Sequence, residues 1–219
     1  MITFYILTLF PDMIQQAASH SIIGRAQKQE YVRINTINIR DFAINKHGQV
    51  DDAPYGGGPG MVMMPEPIYR AFEYTKQTAN NKNLPLIYMS PKGRRFNQVI
   101  AKELSQIDNM AILCGHYEGI DERVKNFVTD EISIGDYILT GGELASLVII
   151  DAVSRLVDGV LGSKESILSE SFSCGNILEH PHYTRPAEFM GQKVPDVLLS
   201  GHHENIRKWR EEMSKERIV

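Results

Sequence analysis

The chain has 219 residues, and its 42% hydrophobic and 23% charged content is that of a globular protein, which excludes a wholly disordered chain. Lys plus Arg is 23 against 27 for Asp plus Glu, a formal charge of -4, so any nucleic-acid contact must rest on local basic clusters and not on a whole-molecule field. The two cysteines, Cys114 and Cys174, make neither a disulfide framework nor a four-ligand zinc site, and no run reaches the roughly 18 apolar residues of a membrane span.

Met1 to Phe10 is apolar, with no Lys or Arg before Arg25, so it reads as a first buried strand and not as a secretory signal. The expected setting is the reducing cytoplasm. A helix should begin near Asp12, with Met13, Ile14 and Ala17 on one face. Tyr31 to Ile39 alternates and is rich in β-branched residues, a strand. Arg40 to Met64 has five glycines and no long period, which predicts a long functional loop. Pro65 to Thr78 should be helical, Leu86 to Met89 a strand, Phe96 to Leu104 a helix and Met110 to Cys114 a strand. Asp121 to Phe127 follows as a short helix and Glu131 to Ile134 as a short strand. Glu143 to Val157 is apolar nearly all round, a helix expected to be buried on most sides. This alternation argues for an α/β fold with a mostly parallel sheet covered on both faces.

Character changes near Asp158, where Gly and Ser become frequent, and the chain is divided at about residue 165. The expected parts are a domain over 1–160, a linker over 161–171 and a small C-terminal domain over 172–219. In the last part, Ile206, Trp209 and Met213 stand at helical spacing.

Four constellations carry candidate chemistry. Asp51 to Met61 holds Gly56-Gly57-Gly58 between prolines, which no helix or central strand tolerates. It reads equally as a tight turn or as a loop that contacts a ligand, and it lacks the Gly-Lys ending of a nucleotide phosphate loop. Three glycine-containing junctions follow predicted strands: Leu86 to Gly93, Leu113 to Asp121 and Ile134 to Glu143. Ligands of parallel α/β sheets bind outside the strand carboxyl ends, so the three together suggest one composite small-ligand pocket. Arg155, late in an apolar helix, reads as an i,i+4 partner of Asp151 or as a cation facing a bound polar group. Glu170, between Ser169 and Ser171, reads by itself as a solvated carboxylate. His180-Pro181-His182-Tyr183-Thr184-Arg185-Pro186 mixes imidazole, aromatic and guanidinium groups suited to stacking and phosphate contact. Its two histidines, with no cysteine nearby, are a weak metal signal, and no metal site is expected.

Asp51 to Met61, Gly115 to Val124, Ser133 to Leu144, His180 to Pro186 and Leu198 to Arg210 together resemble, in order, the bacterial tRNA (guanine-N1)-methyltransferases that modify guanosine 37. The resemblance spans nearly the whole chain. It implies a SPOUT-like domain with a deep trefoil knot, which general chain-packing rules would not have reached. It also implies a flexible linker, a small, mainly helical C-terminal domain, and a homodimer with active sites between subunits. The implied cofactor is S-adenosylmethionine, contacted by Tyr88, Met89, Ser90, Pro91, Gly115, Tyr117, Glu118, Ile134, Gly135, Asp136, Tyr137, Ile138, Leu139, Gly141 and Gly142. The implied tRNA contacts are Asp51, Tyr55, Gly56, Gly57, Gly58, His180, His182, Arg185 and Arg207.

In the family a linker Asp takes the N1 proton of guanine while an Arg balances charge on O6. Here Arg155 matches the Arg, and Glu170-Ser171-Phe172 falls where the family usually has Asp-Ser-Phe. The extra methylene matters, since misplacing a base by about 1 Å can cost on the order of a hundredfold in rate. Glu170 is still expected to be the base. Leu144-Ala145, where the family more often has Leu-Pro, is expected to have little consequence. Longer relatives carry further C-terminal residues, so some tRNA contact is expected to be missing here. Magnesium assists the reaction in the family, but no run here marks a site for it, and the ion is an optional cofactor only. Three competing readings are a non-catalytic RNA-binding protein, a ribose or rRNA methyltransferase of the same fold, and a phosphotransfer enzyme using the glycine loop. The linker carboxylate speaks against the second, and the missing Lys against the third.

Overall fold

The computed structural model describes residues 1–162, 170–173 and 175–216, and for 215 and 216 the backbone only. Contacts divide the chain into two compact units, with the break after Gly162. Residues 163–169 of the expected linker, and Cys174, lie outside the described residues.

The first unit is built on a five-stranded sheet. In chain order its elements are β1 (Ile2–Thr8), α1 (Pro11–Ala18), α2 (Ser21–Lys28), β2 (Val32–Asn38), β3 (Asp51–Asp52), β4 (Val62–Met63), α3 (Pro65–Thr78), β5 (Leu86–Arg95), α4 (Gln98–Leu104), β6 (Asn109–Cys114), β7 (Asp130–Ser133) and α5 (Glu143–Ser154). The sheet order is β2-β1-β6-β5-β7, and every pairing in it is parallel. β3 and β4 form a separate two-residue antiparallel pair at the base of the glycine loop.

Both sheet faces are covered, as a parallel sheet requires. The period of two sorts the strand residues: Phe4, Ile6, Ile87, Met89, Met110, Ile112 and Ile132 join one core with helix residues such as Ile14, Ile100 and Ile149. Tyr5, Leu7, Leu86, Tyr88, Ala111 and Leu113 join the opposite core with Ile68, Ala71 and Phe72 of α3.

The structure departs from the sequence expectations at identifiable points. No element is named from sequence between Ala17 and Tyr31; the structure has α2 there, with Gly24 inside it. A Cβ at Gly24 would lie 2.2 Å from the Ser19 carbonyl oxygen, so the glycine permits the close approach of α2 to the end of α1. β5 continues past Met89 to Arg95 across a register shift. Its polar second half has no apolar run to announce it, and Arg94 instead pairs with Asp130 and Glu103. The Asp121–Phe127 helix is a 3-10 turn over Glu122–Phe127. α5 ends at Ser154 and is less enclosed than its composition suggests: Leu144 and Val148 are half exposed, at 49% and 45%.

In the second unit the described elements are two short antiparallel pairs and two helices. Ile177–Leu178 pairs with Lys215–Glu216, and Glu188–Phe189 with Gln192–Lys193. The helices are Asp196–Leu199 and His203–Met213.

Candidate functional site

The register shift in the middle of β5 and the segments that follow β6 and β7 open into a cavity of about 360 Å³. Its wall includes Tyr88, Met89, Ser90 and Pro91 from β5, and Gly115, Tyr117 and Glu118 from the loop after β6. The segment after β7 adds Ile134, Gly135, Tyr137, Ile138, Leu139, Gly141 and Gly142. The three junctions marked in the sequence therefore converge on one space. Asp136 alone among the expected cofactor residues is not in the wall; it is strongly exposed and pairs with Arg95 at 3.1 Å.

Glycine makes this convergence possible. A Cβ at Gly142 would sit 2.7 Å from the Cα of Cys114, and one at Gly115 would sit 3.0 Å from the Tyr88 ring. The Gly142 N–H donates to the Gly115 carbonyl at 2.9 Å, and His116 bridges Gly141 in antiparallel fashion. The glycine loop of residues 56–60 is joined to the same place: the Glu118 N–H donates to the Met61 carbonyl, and the Met63 N–H to the Gly119 carbonyl.

The cavity is mixed in character. Met89, Ile132, Ile134, Ile138, Leu139 and Ala145 supply apolar wall, while Ser90, Tyr117, Glu118, Glu131 and Thr140 supply polar groups. Burial, then the charges of Glu131 and Glu122, push the Tyr88 phenol up to about 12, so it stays a neutral donor at ordinary pH. Burial and the Glu143 carboxylate push the Cys114 thiol well above its ordinary value, which makes it unreactive. A volume in the small-molecule range, apolar walls, a few carboxylates and bare glycine backbone fit a cationic sulfonium cofactor bearing an adenosine. Sequence reasoning missed His116, Lys92, Glu122, Lys125, Glu131 and Thr140 in the wall. His116 and Thr140 lay inside marked junctions; Lys125 and Glu131 come from a 3-10 turn and β7, where alternation assigns a face but not a cavity.

The remaining expected residues fall elsewhere. Asp51 opens the short β3, and Tyr55 is fully exposed at the head of the glycine loop. Gly56, Gly57 and Gly58 all have positive φ and open space around them. Arg155 caps the C-terminus of α5, its N–H donating to the Asp151 carbonyl, where a cation complements the helix dipole. In the second unit, Glu170 is partly buried, and its carbonyl accepts from the Ser173 N–H at 3.1 Å. His180 and His182 lie with ring centroids 4.7 Å apart, and His180 and Tyr183 each stand 6.3 Å from Trp209. Arg185 is exposed, and Arg207 pairs with Glu211 at 2.6 Å.

Among the described residues, one group has the makings of a metal site, Glu179, His180 and His182. Two imidazoles in three donors do not suit magnesium, which takes oxygen ligands, so the residues do not fit that ion. No described helix is long and apolar enough to cross a membrane.

A parallel α/β sheet whose glycine junctions converge on one cavity has the architecture of α/β proteins that take a small ligand beside their strands. The profile of the tRNA (guanine-1)-methyltransferase family TrmD matches residues 2–219, and the chain belongs to that family. It is 56% identical over 213 residues to a tRNA (guanine-N(1)-)-methyltransferase of Caldanaerobacter subterraneus, covering 97% of this chain and 87% of that protein. It is 57% identical over 210 residues to the same-named protein of Pelotomaculum thermopropionicum, covering 95% and 83%. The crystal structure of a tRNA (m1G37) methyltransferase from Aquifex aeolicus superposes with a TM-score of 0.80 at 44% identity, covering 95% of this chain and 87% of that one.

Proposed function

We propose that this protein transfers a methyl group from S-adenosylmethionine to N1 of guanosine 37 in tRNA, with the cofactor held in the cavity between the middle of β5 and the segments after β6 and β7. The observation that carries this reading is the convergence of the three junctions, all their expected contacts but Asp136, on one space of suitable size. Bound there, S-adenosylmethionine supplies a methyl group already activated by its sulfonium.

The chain's own residues then have two tasks. Guanine N1 carries a proton at neutral pH, and the Glu170 carboxylate takes it. As it leaves, charge grows on O6, and the Arg155 guanidinium balances it. The target base leaves the anticodon-loop stack to be reached. The exposed Asp51–Gly58 loop contacts the tRNA, as do His180, His182, Arg185 and Arg207, with Tyr183 and Trp209 offering ring faces for stacking.

The knot is part of this proposal. β7 lies at the sheet edge beyond β5, yet α5, the next helix, packs against α1 and α4 and reaches β1 through Glu143, so the chain recrosses the sheet. A homodimer with active sites between subunits is supported by exposed apolar groups, Ile138 at 80% and Leu139 in the cavity wall and Leu144 and Val148 on α5. A linker over 161–171 and a separate tRNA-binding part over 172–219 belong to the same reading, and the break between the two units, after Gly162, falls within that linker. A tRNA substrate sets the work in the cytoplasm.

The test is methylation of paired tRNA transcripts, with and without guanosine at position 37, with the modified base identified. The expected product is N1-methylguanosine from the first transcript only. Incorporation into both, or into a ribose, overturns the proposal.

A further inference from the structure

Glu143 is a carboxylate with only 3% exposure, on a residue type that seldom goes inside without a partner. Its Oε1 accepts from the Thr8 hydroxyl at 2.7 Å, across 135 residues of chain. Thr8 is fully buried at the end of β1, and its oxygen also accepts from the Phe10 N–H at 2.9 Å, which fixes the direction in which the hydroxyl proton points. The other carboxylate oxygen, Oε2, stands 2.4 Å from where a Cβ on Gly141 would be, and His116 Nδ1 stands 2.7 Å from the same point. That His116 nitrogen is buried and has no hydrogen-bond partner among the described residues. Gly141 is therefore wedged between an anchored carboxylate and an imidazole, while Gly142 is held to the end of β6 by its N–H.

We infer that Glu143, anchored by Thr8, is a positioning residue for S-adenosylmethionine: it clamps the returning end of the 134–142 segment and so sets the shape of the cavity wall. This rests on the reading that the cavity holds that cofactor. The clamp explains why an ionisable group is kept in the core at the first turn of α5, where the helix dipole also favours its charge. It acts on the cofactor and not on RNA, because the segment it holds forms the cavity wall.

The experiment compares wild type, Thr8→Val, Thr8→Ser and Glu143→Gln by calorimetric binding of S-adenosylmethionine and by amide hydrogen exchange. Thr8→Val keeps the shape and removes the donor to a charged acceptor, so the dissociation constant should rise roughly ten- to a hundredfold. Thr8→Ser restores most of the affinity. Amides of 134–142 exchange faster in Thr8→Val while those of β1 and β6 keep their protection, and KM for tRNA at saturating cofactor stays unchanged. Cofactor affinity within twofold of wild type, or protection lost evenly across the sheet, overturns the inference. Should Thr8→Val not fold, Thr8→Ala takes its place, and the same two results in that variant overturn the inference; Glu143→Gln, which keeps an acceptor oxygen for Thr8, separates loss of charge from loss of the bond. Wild type that binds no S-adenosylmethionine sinks the cavity reading and this inference with it, whereas unchanged variants sink the inference alone.

Discussion

The Cα of Cys114 lies 2.7 Å from the point a Cβ on Gly142 would occupy, so the segment returning from β7 touches the end of β6 backbone to backbone. Alanine at 142 has no flexible neighbour to push aside. Gly142→Ala should lower the thermal midpoint by an amount equivalent to about 1–3 kcal/mol and weaken cofactor binding at the same time. Calorimetric melting with and without S-adenosylmethionine measures both. An unchanged midpoint would show that the contact relaxes freely.

In the proposed function Glu170 is the base, in the place of the Asp that the sequence resemblance implies. Removing its charge in Glu170→Gln should lower the single-turnover methylation rate about a hundred- to ten-thousandfold, with tRNA affinity little altered. Glu170→Asp should remain active, because the functional group is unchanged. Turnover near wild type in the Gln variant would take Glu170 out of the role of base.

Tyr88 ties stability to alkaline pH. Its phenol is pushed from 10.0 up to about 12, first by burial and then by Glu131 and Glu122. Below pH 10 both folded and unfolded chains keep the proton, and the contribution is constant. Between about 10 and 12 the unfolded chain gives the proton up first, so stability falls as pH rises, by roughly 2–3 kcal/mol at most. Urea midpoints measured across that window should drop in wild type and drop less in Tyr88→Phe. Parallel curves for the two proteins would contradict the assignment.

Leu144 and Val148 are one turn apart on α5 and about half exposed. If this stripe is covered by a second copy, Leu144→Glu buries a charge at the interface and shifts sedimentation toward the monomer. A monomeric wild type at micromolar concentration would remove the dimer from the proposal.

Arg185 is exposed and sits between Thr184 and Pro186, outside any helix. Loss of one phosphate contact in Arg185→Ala should weaken tRNA binding at every salt concentration and reduce the slope of log affinity against log salt by about 0.7–0.9. Arg207→Ala should do less, because Glu211 already shares its charge in the free protein. Filter binding over a salt series separates the two.

Local patterns revealed much of the first unit. Pro65–Thr78 was legible end to end because proline starts it and Ile68, Ala71, Phe72 and Thr75 keep its period. β1, β2 and β6 were legible from apolar or alternating runs. α2 went unnamed, and the close approach of Gly24 to Ser19 that seats it is a contact no pattern displays. The second half of β5 was hidden because its stability comes from Arg94 ion pairs and a register shift. At the cavity, the glycine junctions named three segments that the structure brings around one space, since loops that follow parallel strands gather on one side of the sheet. The Thr8–Glu143 bond was not legible at all: it joins two elements 135 residues apart, and nothing in either neighbourhood names the other.

Trp209 is the single tryptophan of the chain, and it stands in the second unit with His180 and Tyr183 around its indole. Its emission is therefore a built-in optical gauge of that unit. Under the proposed function, an RNA base that stacks among these rings would alter the emission of an unlabelled sample.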